Sequence, residues 1–422
     1  MKMPKILHTH NYLSRVSEFF KYIGPGLLVT VGFIDPGNWA SNVAAGATYG
    51  YSLLWVVTLS TIMLIFLQHN AAHIGIVSGK CLAEATYFHF KPKVANTVLG
   101  SSIIAAISTA FAELLGGAIA LKMLFNVPIK IGAILVFIFV SVMLFSNSYK
   151  RLERWIIAFV SLVGISFLIE LFMVNANWAQ VAHSAIIPST PIGSMPLILG
   201  MLGAIVMPHN LFLHSEIIQS RQWNLENEKI IEHQLKYEFI DTAFSMVVGW
   251  AINSAMIIVA AATFFAHSTQ VNSLEQAQNM LIPILGPMGG IAGLVFAIAL
   301  LFAAISAAMT AGFAGGSIFS GIFGEPYNAK DLHTKIGIFI TLFFALVAIF
   351  FINDTLTALI WSQILLSIQL PITVLTQIHL TSNYKVMGKY VNKGIEKYML
   401  YLIAIVVIAL NLALLYSVFS GN

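Results

Sequence analysis

At 422 residues, with 58% hydrophobic and only 9% charged side chains and a mean hydropathy of +0.87, the chain lies outside the composition of soluble globular proteins. Its single cysteine, Cys81, excludes an intrachain disulfide framework and a cysteine-rich metal site. The formal charge of +4 does not indicate a nucleic-acid partner, because the basic residues sort by membrane side once the spans are placed.

Crossing about 30 Å of hydrocarbon takes roughly 20 residues of helix. Eleven stretches of about that length are predicted, over residues 25–48, 50–77, 97–123, 128–146, 152–174, 193–220, 239–265, 282–321, 333–352, 355–381 and 396–418. About twenty mostly polar residues precede the first stretch, which does not read as a cleaved signal peptide. With the N-terminus in the cytoplasm, nineteen of the twenty-one Lys and Arg fall on the inner face and only Lys122 and Lys130 outside. A missed span would scramble that asymmetry, and an odd count leaves the C-terminus extracytoplasmic.

Five spans precede the loop 175–192 and five follow it, so the second set runs inverted relative to the first, with the eleventh as an addition. The whole chain, 1–422, is then one all-α membrane domain: repeat one over about 22–174, repeat two over about 193–381, and an extra helix over about 396–418. Spans 1 and 6 are equivalents, and each is expected to be a broken helix. Asp35-Pro36-Gly37-Asn38 interrupts the first and Met207-Pro208-His209-Asn210 the second, 172 residues later. Proline removes a backbone donor and frees a carbonyl a turn earlier, in a setting where lipid offers no replacement. Spans 3 and 8 carry Gly116-Gly117 and Gly315-Gly316, which suit close helix packing.

Asp35 lies inside a span, where a central aspartate costs roughly 2.5–3.5 kcal/mol on a translocon-based scale. Its simplest role is an N-cap for the helical half that begins at Pro36. That role alone leaves Asn38, Met207 and Asn210 unexplained. Two half-helices entering from opposite sides and ending at the breaks would aim carbonyls at one central point, which favours a cation. Asp35, Asn38 and the backbone carbonyl of Ala204 offer hard oxygen, and the Met207 thioether is soft. This mixed donor set suits Mn²⁺ or Fe²⁺ and tolerates Cd²⁺.

These two tetrapeptides in matching spans resemble those of the natural resistance-associated macrophage protein family of divalent-metal transporters. So do Gly24-Pro25-Gly26, Gly75-Ile76-Val77-Ser78-Gly79-Lys80, Ala112-Glu113, His214-Ser215, Arg221, Ser362-Gln363 and Gln369-Leu370-Pro371. The resemblance covers nearly the whole chain. It implies a leucine-transporter-type fold, Asp35, Asn38, Met207 and the Ala204 carbonyl as metal ligands, and Gln363 approaching the metal in an occluded state. It also implies import driven by the proton gradient, with no resident cofactor, the metal being the substrate. Two positions depart from the family's usual proton-coupling pattern: Ala110 stands where an acidic residue is common, and His333-Thr334 where an arginine pair is common. Glu113, His209 and Asp35 remain as groups able to relay a proton.

The leading expectation is therefore a secondary active importer of Mn²⁺ and Fe²⁺ by alternating access. It is expected in the cell membrane, in contact with lipid, protons and its metal and no nucleic acid, and as a monomer. No Walker-type phosphate loop is present for nucleotide-driven transport. The competing readings are an uncoupled transporter of the same family, a sodium-coupled small-solute symporter on the same fold, and a membrane metalloenzyme using His69 and His73, four residues apart on span 2.

Overall fold

The computed structural model describes residues 34–145, 171, 174–219, 227–268, 271–276, 278 and 289–420. Residues 25–33 of the first predicted span, nearly all of the fifth, Gly24-Pro25-Gly26 and Arg221 lie outside the described residues. Among those described, the elements are helical and no strand occurs. In chain order they are α1 (Pro36–Tyr49), α2 (Leu54–Ser78), α3 (Leu82–His89), α4 (Pro92–Phe125), α5 (Ile129–Phe145), α6 (Trp178–Ile186) and α7 (Met195–Ile205). There follow α8 (Pro208–Gln219), α9 (Glu228–Thr263), α10 (Gly289–Gly321), α11 (Leu332–Ile349), α12 (Thr355–Thr381) and α13 (Gly394–Ser420). Eight segments among them, α7 and α8 counted together, are long and apolar enough to cross a membrane, and α5 is a shorter apolar helix.

The helix ends follow local chemistry. Asp35 caps α1 and Pro36 fills its first turn; Asn227 caps α9 and Asp354 caps α12 through side-chain oxygens. A box formed by Cys81 and Glu84 starts α3. Helix α9 reaches back to Glu228, eleven residues before the predicted span.

Contacts between helix ends join segments that the span alternation puts on one side. The Lys122 ammonium lies 2.9 Å from Glu275, Lys130 lies over the Phe350 ring, and the Trp55 indole donates to the Ser189 carbonyl at 2.8 Å. At the opposite end Gln219 donates to the Gly79 carbonyl and Lys389 pairs with Glu228 at 2.6 Å. The packing also has an internal correspondence. Helix α1 lies along α9 as α8 lies along α2, while α4 packs on α10 and α2 on α9. Exchanging each span with the one five places later leaves this set of pairs unchanged.

Small residues let the helices meet closely. A methyl group on Gly116 would strike the ring of Pro36, and one on Gly315 would strike the hydroxyl of Thr341, so the glycines of spans 3 and 8 serve packing. At Gly203 the neighbour is backbone: an added Cβ would collide with the Gln363 carbonyl oxygen and stand 2.8 Å from the Ser367 nitrogen on α12. Backbone cannot rotate aside as a side chain can. Gly203→Ala is therefore expected to separate α7 from α12 at a cost of about 1–3 kcal/mol, measured as a lower midpoint of thermal unfolding in detergent. An unchanged midpoint would contradict this close approach.

Candidate metal site at the helix breaks

At the second proline segment the helix is interrupted by two residues. Helix α7 ends at Ile205, α8 begins at Pro208, and Val206 and Met207 lie in neither. Pro208 has no N–H to offer the carbonyl four residues back, which is that of Ala204. The side chain of Asn38, from α1, takes the place of that donor: its Nδ2 lies 2.7 Å from the Ala204 oxygen. Both groups are fully buried. One hydrogen bond thus joins the two proline segments across 166 residues of sequence.

Asp35 does act as an N-cap. Its Oδ1 accepts from the Asn38 amide at 2.7 Å, and its carbonyl accepts from Trp39 N at 3.0 Å. The second carboxylate oxygen, Oδ2, is buried and has no hydrogen-bond partner among the described residues. Capping therefore accounts for one oxygen and leaves the other able to take a ligand. Gln363, on α12, lies so close to Gly37 that any side chain there would meet its amide. Its Nε2 donates to Ser362 Oγ at 3.0 Å, and its Oε1 is buried without a partner among the described residues. Met207 is fully buried, and its sulfur accepts from Asn210 Nδ2 at 3.4 Å.

On the neighbouring α4, Thr109 and Glu113 share one face, four residues apart. His209, the second residue of α8, has Nδ1 3.1 Å from Thr109 Oγ1, while its buried Nε2 has no partner among the described residues. Both oxygens of Glu113 are buried with no hydrogen-bond partner among the described residues, near enough to Asp35 for their charges to interact. Thr109 was not singled out in the sequence, since a lone membrane threonine usually bonds its own helix. Here it finds the His209 ring instead. Ala110 is fully buried. His333 is committed elsewhere: its Nδ1 lies 2.8 Å from Glu325 Oε2, and its ring stacks on Phe323 with centroids 3.8 Å apart.

His69 and His73 do not form a metal pair. The Nδ1 of His69 is bound to Glu238 at 2.5 Å, and among the described residues no group of three His, Cys, Asp or Glu is arranged to hold a metal. Glu238 escaped attention because it fell one residue before the predicted start of span 7.

The model of the natural resistance-associated macrophage protein-like family matches residues 26–417. The chain is 38% identical over 407 residues to the divalent metal cation transporter MntH of Nostoc sp., covering 94% of this chain and 91% of that protein. It is 36% identical over 417 residues to the protein of the same name from Mesorhizobium japonicum, covering 96% and 90%. Among solved structures, the manganese transporter of Eremococcus coleocola superposes with a TM-score of 0.83 at 26% identity, over 98% of this chain and 88% of that one. A nucleobase-cation-symport-1 family transporter superposes with a TM-score of 0.63 at 14% identity, a likeness of fold alone.

Proposed function

The chain belongs to the natural resistance-associated macrophage protein-like family, and from that premise we propose that it imports divalent transition-metal ions across the cell membrane. The substrates are Mn²⁺ and Fe²⁺, with Cd²⁺ tolerated, and the inward proton gradient assists. Its relatives are named as transporters, which leaves the metalloenzyme reading without support. The observation that carries the proposal is the bond from Asn38 to the Ala204 carbonyl beside a buried carboxylate oxygen with no partner among the described residues.

The donor set explains the choice of metal. Asp35 Oδ2, the Asn38 amide oxygen, the Ala204 carbonyl and the Met207 sulfur are the ligands, and Gln363 Oε1 joins them when the site occludes. To serve a cation, Asn38 turns its amide oxygen inward and releases the Ala204 carbonyl, so that one rotation frees two donors. Mg²⁺ and Ca²⁺ prefer all-oxygen shells, whereas a thioether favours softer ions. Alternating access follows from an inverted repeat of five spans with α13 as the eleventh, N-terminus cytoplasmic and C-terminus outside. The exchange symmetry of helix contacts and the one-sided pairing of helix ends support that topology. A monomer contains the complete site.

Proton coupling rests on Asp35, Glu113 and His209, with Thr109 orienting the imidazole. Binding a dication beside Asp35 disfavours a proton there, and Glu113 and His209 are groups able to receive it.

Three measurements test the reading. Asp35→Ala is expected to abolish Mn²⁺ uptake into proteoliposomes, and uptake with unaltered affinity would refute the ligand assignment. Met207→Ala leaves only oxygen donors, so Ca²⁺ is expected to compete with Mn²⁺ about tenfold or more better, on the scale of roughly 1–3 kcal/mol for one discriminating contact; unchanged competition would remove sulfur as the selectivity element. Metal-driven acidification of the lumen is expected in the unaltered protein and its loss in Glu113→Gln and in His209→Ala. Metal flux without any acidification would instead favour an uncoupled transporter.

A further inference from the structure

A second set of titratable groups lies away from the helix breaks, on four helices. Glu238 of α9 stands at its inner end in the bundle: Oε2 is bound to His69 Nδ1 of α2, Oε1 accepts from Thr242 Oγ1 at 2.6 Å, and His214 Nε2 of α8 lies 3.9 Å from Oε1. His214 is itself oriented by Gln68, with Nδ1 2.8 Å from the amide oxygen. One turn along α2 from His69 is His73, the two rings nearly parallel with centroids 6.0 Å apart. The Nδ1 of His73 faces Glu396 of α13 across 4.0 Å. Glu396 has a side chain 35% exposed, while that of Glu238 is 5% exposed. From α12 only uncharged groups enter the hydrogen bonds at this level, Gln377 and Thr381 on Asn70. Phe239 meets His69 edge-on and walls the column with apolar surface.

Polar side chains can serve merely as glue between membrane helices. The pattern here departs from glue at His73. Its side chain is only 8% exposed, yet neither ring nitrogen has a hydrogen-bond partner among the described residues. A buried donor or acceptor left without a hydrogen bond is costly, and a leucine would pack there without that cost. An imidazole facing a carboxylate across a gap of 4.0 Å is instead suited to gain and lose a proton, directly or through one water.

We infer that Glu238, His69, His73 and Glu396 form a proton-conducting column from the buried bundle to the face that carries Lys389 and Lys393. A proton on Glu238 crosses its hydrogen bond to His69 Nδ1, and His69 releases one from Nε2 toward His73. His73 delivers it to the Glu396 carboxylate, which gives it to bulk water. Each transfer moves one proton and returns the donor to its starting charge; each histidine is left as the other tautomer and resets by a ring flip. His214 faces the head of the column and is the entry group from α8. The inference rests on the proton coupling proposed above and extends it with an exit path that contains none of the metal ligands.

The test is His73→Gln and Glu396→Gln in proteoliposomes, with metal and proton movement recorded together. Mn²⁺ exchange between equal pools at equal pH needs no proton movement and is expected to stay within about twofold of the unaltered protein, which also shows that the variants fold. Metal-driven acidification is expected to fall about tenfold or more, within the roughly 10²–10⁴ that a positioned proton-transfer group contributes. The exposed position of Glu396 makes its variant the safer for folding. Acidification equal to that of the unaltered protein in both variants would overturn the column while leaving coupling intact. Metal flux without acidification in the unaltered protein would overturn coupling and the column with it.

Discussion

Pro208 withholds a hydrogen bond from Ala204, and Asn38 provides one from another helix. Much of the arrangement at the centre of this protein depends on that substitution of donor. Inside a bilayer a carbonyl without a partner is costly, so a proline break persists only where some other group meets the exposed oxygen. Because the replacement comes from the other proline segment, the two segments cannot be relaxed independently. The helix that carries Asn38 is started by Asp35, the helix that carries Ala204 ends one residue later, and Gln363 is pressed against Gly37 by the contact of Gly203 with its own backbone. Close packing at two glycines thus holds two amides, one carboxylate and one carbonyl in a single buried volume.

Much of this was legible in the sequence because it follows from composition and covalent geometry. Eleven apolar stretches, charges sorted by side and two Pro-containing tetrapeptides give an all-helical membrane protein with polar groups at paired positions. The freed carbonyl could be assigned to Ala204 from the proline's position alone. What escaped depends on side-chain reach. Thr109 gives no signal in a sequence, since its choice of His209 over its own helix appears only once α4 and α8 are side by side. Glu238 was lost to a boundary: hydropathy ended span 7 at residue 239, whereas α9 continues to Glu228 with Glu238 buried. An acidic residue at the edge of an apolar stretch reads as the end of a span, yet a helix tens of ångströms long can carry it into the bundle. Glu216 lies inside the predicted sixth span and is buried, its carboxylate accepting from Ser317 Oγ at 2.8 Å.

The capping role of Asp35 bears on how a metal would be held and released. A carboxylate at a helix N-terminus is stabilised by the positive end of the dipole, so part of its charge is already offset before any ion arrives. Helix α7 contributes the opposite end: its last turn points carbonyls at the same volume. On the proposed reading the site offers a dication only one formal negative charge, supplemented by dipoles, amides and a thioether. Hard ions such as Ca²⁺ ordinarily draw on six to eight oxygens with several carboxylates, and they lose more hydration here than the site returns. Ions that accept sulfur have the smaller deficit. The same shortage of fixed charge keeps binding moderate, as a carrier requires: a site with three carboxylates would hold its metal against release. Selectivity and turnover then share one physical origin, the use of a single carboxylate half-committed to its own helix.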